Sequence, residues 1–87
     1  MRSRWIPVRI PAAGMQAALG LLDLHAHNIA NASTPGFRAQ RPDGGTQEPD
    51  LVTDVVGLIT ARTMYTANAK AFELMAETER FLLDVRA

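Results

Sequence analysis

All five prolines fall within the first 49 residues, and the remaining 38, from Asp50 to Ala87, contain none. A proline-free run of that length, broken by the single glycine Gly57, is expected to form one helix. Asp50 stands at its N-cap position, with Thr53 and Asp54 in the first turn, and the helix is expected over about 50–85. At 1.5 Å per residue such a helix is roughly 50 Å long. Upstream, a second helical pattern spans about 12–32, roughly 30 Å, with Pro11 just before its start. Pro35 and Gly36 end it, and the tract to Pro49, with Pro42, Gly44 and Gly45, reads as a polar connector. The fold class implied is all-α, a two-helix antiparallel hairpin of unequal, coiled-coil-like helices, with no β-sheet expected. Residues 1–11, carrying Pro7 and Pro11, read as an extended or disordered arm, and 12–87 as a single helical domain.

With 87 residues, the chain has one domain at most and too little apolar surface to be comfortably stable alone. Completion by oligomerisation is therefore expected. In the first helix, Met15, Leu19, Leu22, Ala26 and Ile29 recur at alternating spacings of four and three, the pattern of a coiled-coil seam. Gly14 and Gly20 weaken that helix by up to ~1 kcal/mol each relative to alanine. In the second helix, Leu51, Val55, Leu58 and Ile59 form one apolar cluster. Met64, Ala67, Ala71, Leu74, Phe81 and Val85 form another, rotated by roughly a third of a turn at ~100° per residue. Two such stripes imply two different neighbours. Lys70, Glu73, Glu77, Arg80 and Asp84 lie opposite the second stripe and read as a solvated charged face.

The residues hold no recognisable chemical site, and no enzymatic activity or cofactor is expected. Cysteine is absent, which excludes disulfides, thiolate metal sites and cysteine nucleophiles. His25 and His27, the only histidines, are two residues apart and point to different sides of a helix, so they cannot chelate one metal. Substituting either is expected to do little. Ser33 and Thr34 read as turn residues, and Gly44-Gly45 as a flexible connector rather than a phosphate cradle. Nine basic residues balance nine acidic ones, so no nucleic-acid partner is expected, and Arg2, Arg4 and Trp5 are too few to argue for membrane contact. No stretch approaches the ~20 apolar residues of a membrane span, and the start lacks the apolar core of a secretory leader. Asn28 and Asn31 share a face near the end of the first helix, where Asn31 reads as a cap; Asn68, between Tyr65 and Phe72, is harder to explain in a helix interior.

Asn28-Ile29-Ala30-Asn31-Ala32-Ser33-Thr34-Pro35-Gly36-Phe37-Arg38 resembles the N-terminal signature of the bacterial flagellar rod and hook proteins, which has the form N-I-A-N-x-x-T-P-G-[FY]-[KR]. The second helix, from Leu51 through Ile59 to Tyr65 and Asn68, is similar to the family's C-terminal segment. The resemblance implies a structural subunit of the basal-body rod in the periplasm. It further implies packing of the terminal helices with copies of the chain or with other rod subunits. Passage through the flagellar type III export apparatus without a cleaved signal is also implied. Only the short connector separates the two halves, which fits a minimal proximal rod protein. The competing expectation is a helical adaptor that binds rod or export components without being incorporated. Assembly contacts are expected at Met15, Leu19, Leu22, Ile29, Leu51, Val55, Leu58, Ile59, Tyr65, Asn68, Phe72, Leu74 and Phe81.

Overall fold

The computed structural model describes residues 8–86. It contains helix α1 (Arg9–Ala30), strands β1 (Ala39–Gln40) and β2 (Thr46–Gln47), and helix α2 (Leu51–Arg86). The expected two-helix hairpin is the architecture. Contacts between His25 and Asp54 near the connector, and between Gly14 and Asn68 further away, make the helices antiparallel. The molecule measures 63 × 19 × 13 Å, a single layer two helices wide.

The first seven residues of the expected N-terminal arm, with Arg2, Arg4 and Trp5, lie outside the described residues. The rest of that expectation needs correction, because α1 begins at Arg9 and takes Pro11 into its first turn. An N–H at that position has no acceptor inside the helix, so proline costs nothing there.

The seam between the helices also differs from the apolar stripe in the sequence. Pro11, Gly14, Ala18, Leu21, His25 and Asn28 follow a spacing of three and four along α1, and Pro11, Ala18 and Asn28 are buried. Across from them run Asp54, Gly57, Ala61 and Asn68, of which Asp54 and Ala61 are buried. Leu19, placed in the seam by its hydrophobicity, is 50% exposed, and Ala26 is exposed too. Small side chains let the two backbones approach closely, and close approach selects the seam here. A Cβ on Gly14 would lie 2.6 Å from Asn68 Cγ, and one on Gly57 would lie 2.7 Å from His25 Nδ1. Asn68 thus sits over Gly14, its amide donating to the Met64 carbonyl at 2.8 Å. That contact explains an asparagine in a helix interior. Thr63, Thr66 and Thr78 likewise turn their hydroxyls back onto the carbonyls four residues earlier, at 2.8–3.0 Å.

The connector carries the second correction. β1 and β2 pair antiparallel, Ala39 with Gln47 and Gln40 with Thr46, in place of the strand-free tract expected. Gly44 takes φ +93°, a conformation that favours glycine, and its N–H donates to the Arg41 carbonyl at 3.0 Å. Asp43 Oδ1 accepts from the Gly45 N–H at 2.9 Å, and Arg38 pairs with Glu48 beside the strands at 2.8 Å. Two-residue strands leave no alternation to read in a sequence, and Gly44-Gly45 is an ordered turn.

The Asp50 cap is present. Oδ2 accepts from the Thr53 hydroxyl at 2.8 Å and Oδ1 from the Thr53 N–H at 3.2 Å. These bonds, the hydroxyl's first, hold the Asp50 carboxyl below its ordinary value. A carboxyl lowered by folding contributes stability above its ordinary pKa and loses it as pH falls through the lowered value. Protection of the Thr53 amide from hydrogen exchange should therefore decline in that acid window in the native chain. Asp50→Ala should lack this acid-dependent loss.

The glycines give an opposed pair of predictions. Nothing lies within 4 Å of a Cβ on Gly20, so Gly20→Ala should stabilise by up to ~1 kcal/mol through helix propensity. Gly57→Ala carries the same propensity gain but drives a methyl into the pinned His25 ring, an overpacking cost of ~1–3 kcal/mol. Thermal unfolding should show opposite signs for the two variants, and stabilisation of both would contradict the seam.

Candidate functional site

The signature segment, from Asn28 to Phe37, leaves α1 at the mouth of the hairpin, and Asn28, Asn31 and Thr34 in it each have definable contacts. Asn28 is buried and central. Its Oδ1 accepts from the Gln40 N–H at 2.8 Å, and its Nδ2 donates to the Gln40 carbonyl at 2.9 Å. The side-chain amide thereby meets Gln40 as a neighbouring strand would, with one donor and one acceptor. Nδ2 also donates to Asp54 Oδ1 at 2.9 Å. One side chain joins α1, β1 and α2. Aspartate lacks the donor this requires, and glutamine is a methylene longer.

Asp54 Oδ1 receives a second hydrogen bond, from His25 Nδ1 at 2.8 Å, with the two side chains only 12% and 4% exposed. A carboxylate acceptor means that Nδ1 carries the hydrogen, while the ring edge from Nδ1 through Cε1 to Nε2 lies against Gly57. His25, Asn28 and Asp54 form one buried polar cluster, and among the described residues no buried side-chain nitrogen or oxygen lacks a partner. The expectation that His25 is dispensable is therefore corrected. It supports the fold by packing on Gly57 and bonding to Asp54.

The remaining signature residues shape the exit from α1. Asn31 caps the helix, its N–H bonding to the His27 carbonyl at 3.2 Å and its Nδ2 to the same atom at 3.0 Å. Thr34 and Phe37 donate their N–H groups to the carbonyls of Asn31 and Thr34, at 2.9 and 3.1 Å. Gly36 adopts φ +74°, and the Phe37 ring meets His27 edge-on at 5.5 Å. Ile29 is half-buried, whereas Ala30 and Pro35 are exposed.

The residues expected to make assembly contacts divide into two groups. Met15, Leu22, Ile29, Leu58, Tyr65 and Asn68 are half-buried within the hairpin. Leu19, Leu51, Val55, Ile59, Phe72, Leu74 and Phe81 are exposed. Asp54, Gln40, Gly14 and Gly57 were not singled out by sequence reasoning as contact residues. The available signal was His25 and Asn28, which are three residues apart and so share a helix face.

Chemically, the cluster is a fastener. Its hydrogen bonds run between its own side chains and to the Gln40 backbone, and among the described residues no group of three or more potential ligands could hold a metal ion. No described helix is long and apolar enough to cross a membrane. No protein-family model, curated protein or solved structure matches the chain.

Asn28→Ala leaves the part-buried Gln40 backbone groups and the buried Asp54 carboxyl each short of a partner, at a cost of ~1–3 kcal/mol. Urea unfolding should show this loss, and hydrogen exchange at the Gln40 amide should accelerate more than at helix-interior amides. An exchange pattern unchanged at Gln40 would mean that the clasp does not form in solution.

Proposed function

We propose that the chain is a structural subunit of the bacterial flagellar basal-body rod, assembling through its two helices with copies of itself or with other rod subunits. Export through the flagellar type III apparatus, without a cleaved signal, belongs to the same reading. The motivation is the signature from Asn28 to Arg38 together with the order of the two helical segments. One observation carries the reading further: the hairpin leaves many of its large apolar side chains exposed. Among the described residues the fully buried hydrophobic side chains are those of Ala18, Ala39 and Ala61, while Leu51, Val55, Leu74 and Phe81 face solvent. A helix pair with its bulk outside and small residues inside suits burial among neighbours. The Asn28 clasp would keep the two helices in register during that burial.

Basal bodies isolated from the flagellated host should contain the protein. Val55→Asp and Leu74→Asp should prevent incorporation, because each places an unpaired charge at an apolar contact and costs several kcal/mol. Lys70→Ala and Glu77→Ala, on the exposed charged face, should stay within ~1 kcal/mol. If the native chain binds rod or export proteins yet is missing from purified basal bodies, the adaptor reading replaces this one.

A further inference from the structure

The turn that joins β1 to β2 holds the one Asp-Gly step in the chain. The other aspartates are each followed by leucine or valine, and the asparagines by isoleucine or alanine. Aspartate before glycine is prone to cyclise, because the next backbone nitrogen can attack the carboxyl carbon and a residue without a Cβ leaves that approach unhindered. Asp43, Gly44 and Gly45 are all exposed, and nothing lies within 4 Å of a Cβ placed on Gly44.

The folded turn nevertheless holds the reacting atoms apart. The Gly44 N–H donates to the Arg41 carbonyl at 3.0 Å, Asp43 has no positive φ, and no described peptide bond is cis. Together these make residues 41–44 a type I turn, followed by Gly44 in the left-handed region at φ +93°. The third residue of such a turn, here Asp43, has ψ of about 0°. In that conformation the Gly44 nitrogen is rotated away from Asp43 Cβ, whereas a five-membered ring needs the two nearly eclipsed. The carboxylate is held as well. Oδ1 accepts from the Gly45 N–H at 2.9 Å and Oδ2 from Arg41 Nη2 at 2.6 Å. Cyclisation therefore requires both the backbone and the side chain of Asp43 to leave the turn.

We infer that Asp43-Gly44 is a site of spontaneous aspartate isomerisation that the paired strands keep closed. When the turn opens, the Gly44 nitrogen loses its hydrogen and bonds to Asp43 Cγ, and a carboxyl oxygen departs as water. The cyclic imide then takes one water back. Hydrolysis at Cγ restores aspartate; hydrolysis at the main-chain carbonyl leaves isoaspartate, with the backbone running through Cβ and Cγ. No electrons are exchanged. The main chain between Arg41 and Gly45 is now longer by one methylene. Two backbone bonds span Asp43, from the Gly44 N–H to the Arg41 carbonyl and from the Arg41 N–H to the Gly45 carbonyl at 2.8 Å. Both lose their spacing, so the strands cannot re-pair as before and Gln40 loses its seat on Asn28.

This chemistry belongs to the chain itself and stands whether or not the chain enters a rod. The full-length protein is incubated at neutral pH, folded and in concentrated guanidinium chloride. Isoaspartate is read by enzymatic methylation and placed by peptide mass spectrometry. The unfolded chain should accumulate it at Asp43 at least about 10-fold faster, since the folded chain reacts only through its open fraction. Asn28→Ala, which loosens β1, should speed the folded reaction by about 5-fold or more and leave the unfolded rate unchanged. Arg41→Ala frees one carboxylate oxygen of an exposed pair and should speed the folded reaction about 2- to 5-fold. It decides the case if Asn28→Ala loses its helical circular dichroism. Asp43→Glu should abolish the signal in both states. Equal rates in the folded and unfolded native chain overturn the inference, as does an unfolded chain that forms no isoaspartate at Asp43. A signal that survives Asp43→Glu overturns it too, as does a folded rate that neither Asn28→Ala nor Arg41→Ala raises.

Discussion

The hairpin depends on one side-chain amide. Asn28 presents a donor and an acceptor to the backbone of Gln40 and a second donor contact to Asp54, so α1, the strand pair and α2 are positioned by a single group. Burying an amide costs several kcal/mol if its bonds are unmade, so an alternative register that separates these partners is disfavoured far more strongly than the bonds themselves favour the native one. His25 and Asp54 extend the same logic, and Gly57 makes room for the imidazole. Among the described residues the fully buried hydrophobic side chains are alanines, so this cluster and the close approaches at Gly14 and Gly57 set the register.

This arrangement accounts for an apparent mismatch between hydrophobicity and burial. Large apolar residues ordinarily mark the inward stripe of a helix, but two helices come close only where most side chains between them are small, and Leu21 is the one leucine in the α1 seam. Where the seam is built from glycine, alanine and compact polar residues, the leucines move to its flanks. The cost is apolar surface left in water, and such surface favours association. A short chain of this kind is stabilised partly from outside itself.

The extent of α2 and the exit from α1 were legible, though the start of α1 at Arg9 was not, because proline, glycine and capping residues act locally. The Pro35-Gly36 exit, the proline-free run after Pro49 and the Asp50 cap each act within one turn of the chain. The seam was not legible in the same way. Periodicity selected Leu19 and Ala26, both exposed, because a stripe of leucine and alanine carries more hydrophobic signal than Gly14, Ala18 and His25. The partnership of Asn28 with Asp54 spans 26 positions, and only the folded chain brings them together. The strand pair escaped notice because Ala39, Gln40, Thr46 and Gln47 carry no hydrophobic alternation.

The threonines of α2 have a further consequence. Thr63, Thr66 and Thr78 direct their hydroxyl hydrogens to carbonyls of their own helix, as Asn68 does with its amide. Residues counted as hydrophilic by composition thus turn part of their polar demand inward. What the three threonines offer a neighbour is mainly a methyl group and an oxygen whose donor is already engaged. Withdrawing such positions from water leaves no stranded hydrogen-bond donor, so a contacting surface need not supply a matching acceptor at each one. Contacts at these three positions can then be governed by shape.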